Sequence, residues 1–503
     1  MYNPQNNLLT GIRNLFPLEI CPWDDYYMRM AQTDFLAKRN KPASKTFFIR
    51  KAPFGGSYAI FGGLTEFLRT LNDFLFRAED VWHALLDMGY KEDFIEYLRN
   101  QGRLNVKVYA CKEGSVIFPN EPIVILEGNL IDVRIAEGML LKSVNFPTLS
   151  LTKWARVNLA AAPGSVLEFS RRRAQDSLRT TLYGYLGGCS ITSNADIRKA
   201  FDIPVRGTMG HEFVQSYGDE FAAFDAWLQY NPDKPVLLVD TIDTLKSGVP
   251  NAIKAFKKHQ EAITNAGGVM GIRNDSGDLA YITLEEFREF SKANLLDIKI
   301  YETNDLDEYS IENIREQIMT NGNRMLVQPK MENLIWACGT MPGTCYDQPS
   351  LGGVAKLSSI EVNGEEKAVI KIAGDNPIKT SIPGSNRSHF VFNKEKELVC
   401  CLIAKKNETN FDYGFHPEDE SKGFLFKNGF SFEKRQELVY DRGVVFNTDV
   451  TLSDVRERVR EELEMLHWSV KRFKNPHTVK VSLSRDLFKL RKDLISNKWL
   501  IEP

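Results

Sequence analysis

The chain has 503 residues, with 64 Lys and Arg against 66 Asp and Glu, a formal charge of −2 and 43% hydrophobic residues. This length predicts several domains with buried cores, and the charge balance argues against a protein devoted to binding DNA or RNA. There is no run of about 18 apolar residues, so no membrane span is expected. The start MYNPQNNLLTGIRNLFP lacks the basic-then-apolar pattern of a secretory signal. The seven cysteines, at 21, 111, 189, 338, 345, 400 and 401, are odd in number and form no C-x-x-C, which favours a reducing cytoplasm. No H-E-x-x-H occurs among the seven histidines, so nothing points to zinc.

In chain order, residues 1–150 mix helical stretches (64–76, 78–88, 91–101) with strand-like runs (45–50, 104–110, 123–127) and read as an α+β domain. Residues 151–360 carry a slower rhythm. Apolar or β-branched runs start near Val166, Val205, Val236, Gly268, Ile298 and Leu334, about 30–40 residues apart, the length of one strand, one helix and two loops. The segments between them read as helices. Ile253, Phe256 and Ile263 stand at helical spacing, Thr283-Leu284-Glu285-Glu286 has the capping-box form, and Gly267-Gly268 and Gly322 sit where helices would stop. Repeated strand–helix units predict a parallel sheet under helices, and the even spacing favours an α/β barrel over an open sheet. Residues 361–503 read as a β-rich segment, with a hairpin signal at Asn363-Gly364 and a charged helix over 454–467.

In α/β units the chemistry sits at the carboxyl ends of the strands. Here those ends carry Glu168-Phe169-Ser170-Arg171-Arg172-Arg173, Gly207-Thr208-Met209-Gly210-His211, Asp240-Thr241, Arg273-Asn274-Asp275-Ser276-Gly277-Asp278 and Gly339-Thr340, the last followed by Gly352-Gly353. Each alone has a bland reading: a solvated arginine face, a structural histidine, a turn with an N-cap at Asp275–Asp278, simple glycine turns. Together they supply arginines and loop N–H groups for phosphate, and aspartates for Mg²⁺ or hydroxyl groups. No G-x-x-x-x-G-K-[ST] and no G-x-G-x-x-G after a strand is present, so neither a Walker-type nor a dinucleotide Rossmann site is expected.

The set DDYYMRM (24–30), PFGG (53–56), EFSRRRAQ (168–175), GTMGHEFV (207–214), RNDSGDL (273–279) and SLGGVAKL (350–357), with the tail NPH (475–477), resembles nicotinate phosphoribosyltransferase over nearly the whole chain. The resemblance implies a type II phosphoribosyltransferase: an irregular α/β barrel with an α+β domain built from the N- and C-terminal flanks, usually a homodimer with shared active sites. It implies formation of nicotinate mononucleotide and pyrophosphate from nicotinate and phosphoribosyl pyrophosphate, the entry to NAD salvage, with ATP hydrolysed through a phosphohistidine. On the matching positions, His211 is the phosphorylated histidine. Tyr26, across the dimer interface, and Phe169 sandwich the pyridine ring. Arg172 and Arg273 meet carboxylate and phosphate, and Thr208 lies beside the substrate. Asp240, Asp275 and Asp278 surround the ribose, the pyrophosphate and Mg²⁺, which is held through the substrate and by Asp275. Gly339, Thr340, Gly352 and Gly353 cradle the 5′-phosphate.

Gly210, Ala337 and Ala355 depart from the family's usual residues at those places, which bears on loop geometry. The sister enzyme acting on nicotinamide carries an Asp after Gly-Thr, where this chain has Met209. Quinolinate phosphoribosyltransferase is much shorter, and a non-catalytic scaffold homologue is the alternative from another class.

Overall fold

The six strands of the central segment are short, β-branched and bounded by helices, and their pairing is parallel throughout. The computed structural model describes residues 6–372 and 380–498. Two compact units result, one from residues 1–152, 199–201 and 350–503, the other from residues 153–198 and 202–349.

In the central unit the strands run in the order Ile191–Thr192, Ser165–Glu168, Leu334–Cys338, Lys299–Asn304, Gly271–Asn274, Val236–Leu238. The last strand of the segment thus pairs with the first, through Trp336↔Val166 and Cys338↔Glu168. That cyclic order is the winding of a barrel, as the strand rhythm predicts. A single parallel bridge, Thr192↔Val205, extends one edge, and no ladder joins Val205 to Val236–Leu238 among the described residues. The ring is therefore open at that point. Leu237, Leu238, Ile272, Ile300, Leu334 and Trp336 are fully buried, which suits strands covered on both faces.

Three sequence expectations change here. The run at Val205 is not a strand: Pro204 removes an N–H and Gly207 and Gly210 loosen the backbone, leaving only the bridge at Val205. The strand beside it is Ile191–Thr192, too short to show a period. The capping-box reading of Thr283–Glu286 fails, because the helix Leu279–Lys292 starts five residues earlier, at an N-cap where Asp278 accepts from the Tyr281 N–H at 3.1 Å. Thr283 and Glu286 are instead buried mid-helix. Gly322 lies inside the helix Glu308–Arg324, and the chain turns at Leu326, which has φ +56°. A Cβ at Gly322 would sit 3.0 Å from the Pro329 ring, so the glycine admits the returning loop.

The flank unit joins both ends of the chain in one antiparallel sheet, in the order Glu365–Ala368, Val354–Val362, Pro42–Phe48, Val124–Asn129, Val106–Ala110, Glu437–Asp441, Val444–Val445. Residues 350–360, given to the central segment from sequence, lie here because Val354–Val362 pairs along Pro42–Phe48 from Ala43↔Ile360 to Phe48↔Val354. The Asn363-Gly364 hairpin is present, with φ of +55° and +83° flanked by the Val362↔Glu365 pair, the backbone that a two-residue type I′ turn requires. A second sheet runs Gly423–Leu425, Tyr413–Phe415, Lys480–Ser484, Leu398–Lys405, Asn386–Phe392, Ser431–Lys434. Cys400 and Cys401 are buried within it as free thiols. The three predicted N-terminal helices appear as Leu64–Asp73, Glu79–Asp87 and Glu92–Gln101, and the charged one as Leu452–Met465, opened by a Thr451–Asp454 capping box.

Candidate active site at the barrel strand ends

The strand Gly271–Asn274 delivers Arg273 and then Asp275 to its carboxyl end, on a backbone fixed by pairing to Lys299–Asn304. Arg273 is held on three sides. Its Nη1 donates to Thr208 Oγ1 at 3.0 Å and to the Met209 carbonyl at 3.3 Å, its Nε donates to Thr303 Oγ1 at 3.3 Å, and its Nη2 lies 3.2 Å from Asp275 Oδ1. The guanidinium is thereby oriented before any ligand arrives. Burial alone would raise the Asp275 carboxyl, yet the Thr303 hydroxyl, Arg273 and His211 hold it below the usual carboxylate value.

Asp240 follows the strand Val236–Leu238. Its Oδ2 accepts from the Asp275 N–H at 3.0 Å and from the Ser276 hydroxyl at 2.7 Å, tying two strand ends together. Its Oδ1 is buried with no hydrogen-bond partner in the structure, and the side chain is only 2% exposed. His211 begins the helix His211–Ser216 on the open side of the ring. Its Nδ1 lies 3.0 Å from Thr241 Oγ1, and its Nε2 faces Asp240 Oδ1 at 3.8 Å and Asp275 Oδ2 at 3.7 Å. One imidazole, two carboxylates, an oriented guanidinium and a Thr hydroxyl thus share one corner.

Beneath them lies a buried polar layer. Asn274 donates to Glu286 Oε2 at 3.0 Å and Glu302 Oε1 at 3.2 Å, and Thr283 donates to Glu302 at 2.6 Å. Burial pushes both carboxyls up, and their mutual repulsion raises Glu286 further. On the neighbouring strand Glu168 is fully buried and gathers donors from Ser170, Thr181 and Thr192. It pins the turn that carries Phe169, which is half-buried, and Arg172, which is exposed. A Cβ at Gly339 would lie 3.1 Å from the Phe169 carbonyl, so these two strand ends pass closely. Thr340 opens the short turn Thr340–Gly343.

The structure therefore brings together Thr208, His211, Asp240, Arg273 and Asp275, and separately Phe169 and Gly339. Asp278 is exposed and serves as a helix N-cap. Tyr26, Gly352 and Gly353 belong to the flank unit. There Tyr26 is 52% exposed beside Tyr27, at 4.0 Å between ring centroids. The Gly353 N–H is already donated to Asn145 Oδ1 at 2.9 Å, while Gly352 is exposed with φ +71°. Sequence reasoning missed Glu302 and Thr303. They stand at a strand end like the rest, so the same strand-end rule applied to the run at Ile298 finds them.

Comparison with known proteins decides the family. The chain is 36% identical over 475 residues to nicotinate phosphoribosyltransferase of Bacillus subtilis (strain 168), covering 92% of each. The chain belongs to the nicotinate phosphoribosyltransferase family. Its residues 23–145 match the nicotinate phosphoribosyltransferase (NAPRTase) N-terminal domain, and residues 391–491 match the nicotinate phosphoribosyltransferase C-terminal domain. The Dictyostelium discoideum nicotinate phosphoribosyltransferase is 31% identical, over 95% of this chain and 87% of its own length. Among solved structures, human nicotinic acid phosphoribosyltransferase superposes with a TM-score of 0.74 at 24% identity, over 94% of this chain and 99% of that one. Nicotinate-nucleotide pyrophosphorylase from Pyrococcus furiosus superposes at 0.65 and 16% identity, over 88% and 94%. These two show the shared fold.

Proposed function

We propose that this family member transfers the phosphoribosyl group of phosphoribosyl pyrophosphate to nicotinate, with ATP hydrolysis coupled through His211. The observation that carries the reading is the His211 corner. Two carboxylates 3.7 and 3.8 Å from Nε2 favour the proton on that nitrogen, which leaves the Nδ1 lone pair accepting from the Thr241 hydroxyl. Nδ1 is then the atom that attacks the γ-phosphorus of ATP as ADP leaves. Water later cleaves the phosphoramidate and returns phosphate and the neutral imidazole. Added charge on His211 repels Asp240 and Asp275 and so acts on the loops they tie together.

In the glycosyl transfer the nicotinate nitrogen attacks C1 of the ribose and pyrophosphate departs with the bonding pair. The protein's part is orientation. Arg273, prealigned by Thr208 and Thr303, is placed for carboxylate or phosphate oxygen, and Arg172, exposed on the turn pinned by Glu168, is its companion. Phe169 offers an apolar face to the ring. Among the described residues no group of three or more His, Cys, Asp and Glu is set to hold a metal. The unpartnered Asp240 Oδ1 and the Asp275 carboxylate are nevertheless oxygen donors of the kind that would hold a Mg²⁺ ion. When bound, that ion neutralises the pyrophosphate charge.

The half-exposed Tyr26 fits a role on the substrate of a second copy, in a homodimer with shared sites. No described helix is long and apolar enough to cross a membrane, and seven free cysteines favour the cytoplasm. The test is mononucleotide formation from phosphoribosyl pyrophosphate with nicotinate or nicotinamide, with and without ATP, for the wild type and His211→Ala. The expected result is product from nicotinate only, stimulated by ATP, with the stimulation absent in the variant. Turnover of nicotinamide instead would overturn the substrate assignment. No turnover from folded protein would favour a scaffold role.

A further inference from the structure

The flank unit holds a partly open cavity of about 720 Å³, within the roughly 300–1,000 Å³ of small-molecule sites. None of the residues assigned above to the reaction lines it. Its walls come from both sheets of that unit, with Phe48 and Lys356 on one side and Phe424 and Lys480 on the other.

Two lining side chains are buried with a polar atom left over. Asn386, 3% exposed, donates its amide to the Pro383 carbonyl at 3.0 Å, while its Oδ1 has no partner. Arg491, 6% exposed, spends its Nη1 on the Pro417 carbonyl and its Nη2 on Glu418, both at 2.6 Å, while its Nε has no partner. Native interiors rarely leave such atoms unmatched. Both side chains belong to the cavity wall.

The charge is equally lopsided. Glu418 is already engaged by Arg491, and Lys356 and Lys480 have no carboxylate opposite them among the described lining residues. The Lys356 ammonium reaches the Ala355 carbonyl at 2.9 Å, and burial holds it below its usual value. Lys480 sits 5.4 Å from the centre of the Phe424 ring. Two aromatic side chains and two ammonium groups with no carboxylate partner in the cavity wall, beside two buried side chains that each keep one unmatched polar atom, match a flat heterocycle that carries a phosphate. We propose that this cavity is a second ligand site, separate from the barrel, that binds a nucleoside monophosphate. The inference does not rest on the reading of the barrel site.

The test is calorimetric titration of the full-length protein with AMP, adenosine and inorganic phosphate. AMP is expected to bind once per chain, and adenosine and phosphate alone at least tenfold more weakly. Lys480→Glu, a change at an exposed strand position, should weaken AMP at least tenfold, as should Asn386→Leu. Asp240→Asn and Arg273→Ala, both in the barrel unit, should leave AMP affinity unchanged. Thermal unfolding confirms that each variant is folded, and if Asn386→Leu is not, Lys480→Glu decides alone. AMP binding that survives Lys480→Glu and disappears in Asp240→Asn would assign the nucleotide to the barrel and overturn the proposal. So would the absence of saturable AMP binding up to millimolar concentration.

Discussion

Replacing Asp240 by Asn separates stability from chemistry. In the wild type Oδ2 accepts two hydrogen bonds while the buried Oδ1 has none. An unpaired buried acceptor costs about 1–3 kcal/mol, and here it also carries charge. Asn keeps the accepting oxygen and puts an amide N–H₂ where the orphan stands, 3.8 Å from His211 Nε2. A small closure lets that amide donate to Nε2. The variant should then be about 1 kcal/mol more stable, which for a unit of roughly 200 residues is a rise in Tm of about 2–4 °C. The same donation drives the imidazole proton to Nδ1 and removes the lone pair proposed as the nucleophile. ATP-dependent labelling of His211 should fall by about 10²-fold or more, a barrier increase of about 3 kcal/mol. The assays are thermal unfolding without ligands and incorporation of radiolabelled phosphate from ATP. A Tm that falls by several degrees would refute the argument, because it would mean the charge on Asp240 stabilises the free protein. Labelling at the wild-type rate would refute the tautomer assignment.

Glu302→Gln tests the buried carboxyl layer. Burial holds Glu302 protonated to about pH 7, whereas the unfolded side chain ionises near 4.5. The folded state therefore binds the extra proton, and stability falls as pH rises across that window, by on the order of 3 kcal/mol; the Gln variant should flatten the slope in urea titrations between pH 5 and 8. Lys153→Met removes the fully buried ammonium that meets Glu308 at 2.8 Å and Asp347 at 2.9 Å. Breaking a buried pair from one side costs about 3–5 kcal/mol, read as a lower urea midpoint for the barrel unit. Gly63→Ala places a Cβ 2.1 Å from the Ser143 carbonyl at φ +90°, combining overpacking with left-handed strain, and should cost about 3 kcal/mol or more. A soluble variant with wild-type unfolding would show that the helix around Ser143 can yield.

The sequence showed the barrel because buried parallel strands are continuous apolar runs, and most of the runs it marked are strands. It showed the Asn363-Gly364 hairpin because Asn followed by Gly tolerates the two positive φ angles of a two-residue turn. It could not show Ile191–Thr192, where two residues have no period, nor the fate of Thr283, whose hydroxyl serves Glu302 on a sheet strand instead of the backbone of its own helix. The same limit applies at the site. His211, Asp240, Arg273 and Asp275 were visible by type and place, but the bond from Thr241 to Nδ1 and the unpartnered Asp240 oxygen are facts of three dimensions. Gly353 is a reverse case: its N–H, legible as a phosphate donor, is occupied by Asn145.

The flank sheet has a consequence for how the chain is made. Its strand Val106–Ala110 pairs with Glu437–Asp441, so the neighbour of that edge is synthesised some three hundred residues later. At about 5–20 residues per second, the ribosome leaves the edge without its partner for tens of seconds, while the whole barrel segment emerges. An open strand edge is a template for association. The nascent protein is therefore most exposed to aggregation during translation of its barrel unit, and truncation before residue 437 should leave that edge of the N-terminal sheet unpaired and send the product to chaperones.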